Sequence, residues 1–438
     1  MTVDATDLSH SRILSLGLFL KTVGRNSGAL TISGAAQKLA SFLVLVLANR
    51  ALSRDQFGAF ALVLATAEIV RVVSAFGVDQ ISLRALARGG GDESRIVSNA
   101  LLLKALASVG AVLIFAGAAW YLRFSPAMWI GWALLSVDYF LSAGALSLVS
   151  YHQASVRADR AVPAVILGTV ATLSVGVMAF ALHAPMPWFL ASIPAGNAVA
   201  VLALWMITRR WVRPSIKLAS RVALLRFARA AWPLAVSGAI VLLYFRVSTL
   251  MLAKIDGLGA VASYTPAYKL SEAFLLLPAA LAGTTLPVLA GALRRGPSRA
   301  GIRAYESALL VSLALSVPFG IGTTILGRFV LVHVFGPSYA GSALALTILG
   351  WATVLMSLNI QTTNALIALD RERLVMAVTV VNLATNIVAN LILIPRLSFN
   401  GSAYATLATE GVNLAMQAGL VAYFLRPSQW RPDEARLT

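Results

Sequence analysis

The residues best able to do chemistry in this chain are charged side chains set within or beside long apolar stretches. Lys38, Arg71, Lys104, Arg246 and Lys269 stand in such places, as do Glu68, Asp138, Glu272 and Glu410. A charge there is costly, so it faces a cavity or a partner. Helical spacing groups these residues. Thr31, Lys38 and Asn49 fall nearly in line, and Lys38 has no acid within one turn of its own helix. Glu68 and Arg71 lie three apart and can pair, and Lys269 and Glu272 repeat that spacing with the charges reversed. Tyr264 and Tyr268 share the face of Lys269 and Glu272. Further polar stripes follow: Ser357 to Asn364, then Asn382, Asn386 and Asn390, then Thr406, Glu410, Asn413 and Gln417. Cations among hydroxyls and amides suit an anionic ligand, with phosphate and pyrophosphate the natural match.

Each group also has a plainer reading. The asparagine stripe serves equally as hydrogen bonding between helices. The two acid–base pairs serve as neutralised contacts that hold helices together, and Arg246 as a structural charge. Lys104 sits near a span end and is expected to snorkel toward the cytoplasm.

The elements that position these side chains are apolar segments of about 20 residues, a length that crosses a bilayer as a helix. Some twelve of them fill the chain between residues 28 and 425, separated by short loops. Span 8 is expected at Val261–Leu289, span 11 at Leu374–Ile394 and span 12 at Ser402–Leu425. The composition agrees: 438 residues, 59% hydrophobic and only 12% charged, about half the charge of a soluble domain. The fold class is therefore an all-α integral membrane protein.

The net charge of +18 invites a nucleic-acid reading, but the placement of the basic residues argues against it. With the N-terminus set inside, about 24 of the 35 Lys and Arg fall in inner segments and about 6 in outer loops. That is the positive-inside pattern, with both termini cytoplasmic and no nucleic-acid partner. Cysteine is absent, so disulfide and thiolate chemistry are excluded. Four scattered histidines make a metal cluster unexpected, and no metal or cofactor is expected. No cleavable signal is seen; Ile13–Leu20 reads as an amphipathic helix at the inner surface.

The basic stretch Arg209–Arg229 divides the spans six and six. The expected organisation is an N-terminal cytoplasmic segment (1–27), an N-lobe (28–207), a basic linker (208–230), a C-lobe (231–425) and a cytoplasmic tail (426–438). The halves look weakly alike, and shared apolar composition is the plainer reading of that likeness. At one constant offset Arg50 falls on Lys254, Phe60 on Tyr264 and Glu68 on Glu272. Six spans per half make this a parallel repeat about an axis along the membrane normal, with a central cavity.

Three stretches carry a family resemblance: "LANRALSRDQFGAFALVLATAEIVRVVSAFG", "YFRVSTLMLAKIDGLGAVASYTPAYKLSEAFLLLPAAL" and "NLATNIVANLILIPRLSFNGSAYATLATE". The chain resembles the Wzx-type polysaccharide and O-antigen flippases, in the superfamily that includes the lipid II flippase MurJ and the MATE exporters. The resemblance implies a V-shaped pair of six-helix lobes that alternates between inward and outward openings. It implies a bacterial inner-membrane protein moving an undecaprenyl-pyrophosphate-linked oligosaccharide outward among membrane lipids, beside polysaccharide polymerase and chain-length proteins. Lys38, Arg71 and Lys269 fall where lipid II flippases place cavity arginines, and two of the three are lysine here. Arg246 comes second for the pyrophosphate, Tyr264, Tyr268, Asn364 and Asn386 would meet sugars, and Glu68, Glu272 and Glu410 are the candidates for coupling to a proton or sodium gradient. A drug/cation antiporter would show a cavity of acids and aromatics instead. A polymerase-type membrane enzyme would need a sizeable loop bearing acids or histidines.

Overall fold

In the computed structural model, residues 32–75, 77–88, 92–155, 157–293 and 298–426 are described. The expected amphipathic helix at Ile13–Leu20, Thr31 and the tail beyond residue 426 lie outside them. The described residues form helices and connecting turns. In order these are α1 (Ile32–Ala51), α2 (Arg54–Ala75), α3 (Val78–Arg88), α4 (Glu93–Tyr121), α5 (Pro126–Ala154), α6 (Val162–Ala181), α7 (Met186–Thr208), α8 (Arg221–Ile255), α9 (Leu258–Phe274), α10 (Leu276–Leu293), α11 (Arg299–Phe335), α12 (Ala343–Ala368) and α13 (Glu372–Phe424). Among the described residues, eleven stretches are long and apolar enough to cross a membrane. Isoleucine, leucine, valine and tryptophan side chains stand exposed along them, as expected where the surrounding solvent is lipid.

Two boundaries differ from the sequence reading, and a third agrees with it. The linker is helical from Arg221 onward, because α8 runs 35 residues without interruption. The expected span 8 breaks at Leu275 into α9 and α10. Expected spans 11 and 12 are the two arms of α13, whose 53 residues include a non-helical turn at Ser398 with φ 54° and ψ −137°. A straight helix of that length would reach about 80 Å, far beyond a bilayer core of about 30 Å. The arms return on each other instead. Ser402 donates to Asn390 Oδ1 at 2.9 Å and Asn386 donates to Thr409 Oγ1 at 3.4 Å. A Cβ on Gly401 would stand 2.2 Å from the Leu393 carbonyl oxygen, so only glycine lets the arms close this tightly.

The chain forms two compact units. The first holds residues 1–51 and 67–238, the second residues 52–66 and 239–438. The expected lobe boundary between residues 207 and 231 therefore moves into α8 at residue 238, and the start of α2 joins the second unit. In the first unit α5, α6 and α7 pack together, with Ala145, Leu148, Ala164, Ala203 and Leu204 between them. The Asp92 side chain caps α4 by accepting from Arg95 N, and Ser125 caps α5 just ahead of Pro126. In the second unit α12 is the central helix. It is buried along most of its length and packs against α9, α10, α11 and α13.

Candidate functional site

The second unit gathers most of the candidate residues. Arg246 on α8 is 4% exposed, and its Nη2 donates to Glu272 Oε1 at 2.5 Å. Lys269, one turn before Glu272 on α9, donates to the other carboxylate oxygen at 2.8 Å. The three-residue spacing read from the sequence is thus a real contact, and Arg246 adds a second cation to the same acid. The Arg246 guanidinium also stands over the Tyr268 ring at 5.3 Å. Tyr268 donates its hydroxyl to the Phe245 carbonyl at 3.0 Å, which fixes the ring beneath the charge. Tyr264 stacks on Tyr268 at 5.5 Å. It is fully buried and lies beside Ser402 and Thr406 of α13, where the expectation had been a cavity-lining ring.

A second polar centre adjoins this one through α8. Two residues before Arg246, Tyr244 donates its hydroxyl to Glu410 Oε1. Asn359 of α12 donates to Glu410 Oε2 at 2.7 Å and to the Glu410 backbone carbonyl at 3.1 Å. Glu410 is 2% exposed, and its hydrogen-bond donors here are neutral. The two acids therefore have different settings: Glu272 is bound by two cations, Glu410 by a phenol and an amide. Tyr244 and Asn359 were not singled out as partners from sequence. Only the position of Tyr244 two residues from Arg246, and the polar run around Asn359, hinted at them.

The asparagine stripe turns inward. Asn386 Oδ1 accepts from Ser248 Oγ at 3.1 Å and from Asn390 Nδ2 at 2.8 Å. Asn386 and Asn390 are buried, so the plainer reading, hydrogen bonding between helices, describes them, and Asn386 does not stand on an open wall. Asn364 is likewise buried, donating to the Ala282 carbonyl at 3.0 Å and to Thr285 Oγ1 at 3.3 Å. Gln361 accepts from Thr285 at 2.7 Å, and Thr363 donates to Gln417 at 2.8 Å. These bonds tie α12 to α10 and α13.

The first unit holds Lys38, Glu68 and Arg71. Lys38 is exposed on α1. Arg71 is half-buried and interacts electrostatically with Asp138 of α5, which accepts from Asn197 Nδ2 at 2.7 Å. Glu68 is half-buried on the same helix. Lys104 overturns its expectation. It is fully buried, bonded to Asp79 of α3 and donating to Ser147 of α5 at 3.0 Å. A snorkelling lysine reaches water; this one is consumed inside the unit, because α3 brings a carboxylate to it. Among the described residues no group of histidine, cysteine and acid side chains is placed to hold a metal ion.

An all-helical fold with charged and amide side chains paired inside apolar spans defines a multi-pass membrane protein. The chain belongs to the polysaccharide biosynthesis protein family, whose pattern matches residues 23–292. It is similar to the probable flippase AglR of Haloferax volcanii, 26% identical over 235 residues, which covers 52% of this chain and 48% of that protein. The chain spans about half or less of the length of the curated relatives it matches. Among solved structures it shares the fold of an inward-facing multidrug resistance MATE family transporter of the MOP superfamily, with TM-score 0.73, 14% identity, and coverage of 89% of this chain and 96% of that one. It also shares the fold of the lipid II flippase MurJ in an inward closed conformation, with TM-score 0.71, 12% identity, and coverage of 90% and 87%. The family resemblance carried by the three sequence stretches is thereby borne out.

Proposed function

We propose that this protein is a flippase for a lipid-linked glycan, moving an undecaprenyl-pyrophosphate-linked oligosaccharide from the cytoplasmic to the periplasmic leaflet of a bacterial inner membrane by alternating access. The observation that carries the reading is the convergence of Arg246 and Lys269 on the single carboxylate of Glu272. A diphosphate offers the same acceptor geometry as a carboxylate, with more charge. Arriving substrate can therefore take over donors that Glu272 holds in its absence. Arg71 and Lys38 are proposed as further substrate-binding cations, and Tyr268 as the support of the Arg246 guanidinium. Membership in the polysaccharide biosynthesis family and similarity to a probable flippase support this reading. Both termini are proposed to lie in the cytoplasm, a placement supported by the inner bias of the basic residues.

Coupling is proposed to reside at Glu410. A carboxylate held by neutral donors can gain and lose a proton without dismantling an ion pair, whereas protonating Glu272 would strand two cations. An inside-negative potential also drives an anion outward, by about 2.3 kcal/mol per charge per 100 mV.

The test is leaflet location. Deletion of the gene in its host should leave lipid-linked oligosaccharide inaccessible from the outer face of the inner membrane. The wild type should restore access, and a Lys38→Ala/Lys269→Ala double variant present at normal level should not. Full outer-leaflet access in the deletion strain, with no redundant flippase, would remove the proposal. A cation antiporter, the alternative on the same fold, would instead show organic-cation efflux insensitive to Lys269.

A further inference from the structure

We infer that the end of the first unit formed by the C-termini of α5 and α7 and the start of α6 is a binding site for the headgroup of an acidic phospholipid. Two tryptophans stand there, each about half exposed: Trp205 in the last turn of α7 and Trp211 just beyond it, both 47% exposed. Each carries an arginine on its ring. The Arg209 guanidinium lies 5.3 Å from the Trp205 centroid, and that of Arg160, in the turn before α6, lies 5.1 Å from Trp211. Exposed indoles at a span end mark the bilayer interface. A guanidinium stacked on a ring keeps its N–H edge outward, in the geometry that grips phosphate.

The plate is built on fixed supports. His152 is 2% exposed, meets the Trp211 ring edge-on at 6.4 Å and 87°, and bonds Thr208 Oγ1 at 2.9 Å. The chain leaving α7 is strapped to α4: Arg213 N donates to Ser94 Oγ at 3.2 Å, Ser215 N to Ser98 Oγ at 3.0 Å and Ser220 N to Asn99 Oδ1 at 3.0 Å. Charge alone would satisfy the positive-inside rule with mobile side chains. Here two guanidinium groups stand over two exposed rings at a span end, while Arg210 and Arg213 stay exposed nearby and raise the local potential. The inference does not depend on what the protein transports.

The experiment titrates the purified full chain in nonionic detergent with dioleoylphosphatidylglycerol and, separately, dioleoylphosphatidylcholine, reading bound lipid by native mass spectrometry. The wild type should retain the phosphatidylglycerol in preference. Arg160→Gln/Arg209→Gln should weaken it about tenfold. Trp205→Ala/Trp211→Ala, with every charge kept, should weaken it about threefold. Arg209→Gln alone serves if a double variant does not fold. Equal retention of the two lipids by the wild type, or undiminished phosphatidylglycerol binding in the arginine variants, would overturn the site. Displacement of the lipid by millimolar inorganic phosphate would overturn the lipid as its occupant. Loss of leaflet transfer with lipid binding intact, or the reverse, keeps this inference separate from the proposed function.

Discussion

Arg246 Nη2 and Glu272 Oε1 are 2.5 Å apart, joining α8 to α9 inside the second unit. Because Arg246 is buried and Lys269 holds the other oxygen of the same carboxylate, the acid organises both cations. Glu272→Gln should therefore lower thermal stability in detergent, since a neutral amide cannot satisfy two cations. Glu272 is partly exposed, so the loss falls below that of a fully buried pair. A double-mutant cycle of Glu272→Gln with Arg246→Met should return a coupling of about 1–3 kcal/mol. Additivity in that cycle would show that the pair does not act as one.

Lys269→Arg should preserve glycan transfer, and Lys269→Ala should reduce it by about tenfold or more at normal membrane abundance, because the loss of one charge-assisted contact to phosphate is worth roughly 1.5–3 kcal/mol. Transfer assays on cells matched for protein level decide this. Wild-type export by Lys269→Ala would relieve the residue of a substrate role.

Lys104 should behave in the opposite manner. Its amine is enclosed with Asp79 and Ser147, so Lys104→Ala strands a carboxylate and should cost about 3–5 kcal/mol of stability. Lys104→Met/Asp79→Asn should regain much of it. Melting in detergent reads both, and transport per folded molecule should stay near wild type in the rescued double variant.

These two lysines show what could be read from the sequence. Lys269 and Glu272 are three apart on one helix, and local geometry alone predicts their contact. Lys104 and Asp79 are 25 residues apart, with a break at Gly77, φ 64°, that starts α3 on a new course; nothing local announces the meeting. Hydropathy located the spans, since lipid solvation acts on composition. It also placed the turn at Ser398, which falls between the expected spans 11 and 12, but not the break at Leu275 inside the expected span 8. The asparagine stripe had two open readings from sequence. Burial chose between them, and burial depends on Ser248 and Thr409, which come from elsewhere in the chain.

The two stretches that looked like repeats, around Arg54 and around Leu258, lie against each other. Arg54 Nε donates to the Gly259 carbonyl at 3.3 Å, and a Cβ on Gly58 would stand 2.0 Å from the Leu258 carbonyl oxygen. At the shared offset Arg54 corresponds to Leu258 and Gly58 to Ala262, so the two helices cross within a turn of offset-related positions. Gly58→Ala should force α2 and α9 apart and cost about 1–3 kcal/mol, read as a lower melting temperature. A variant as stable as wild type would mean that the crossing yields without strain.

Glu410→Gln tests coupling. The amide Oε1 can still accept from Tyr244, and a reoriented Asn359 can face the new Nε2, so the helix packing should hold and melting should change by less than about 1 kcal/mol. What the variant lacks is an exchangeable proton. In vesicles, transfer that responds to an imposed pH gradient in the wild type should lose that response in Glu410→Gln, while a response to membrane potential remains. Glu272→Gln, by contrast, should impair transfer at every gradient, because it disturbs the cations themselves. If Glu410→Gln keeps the full pH-gradient response, the proton is carried elsewhere and Glu68, half-buried on α2, becomes the residue to substitute next.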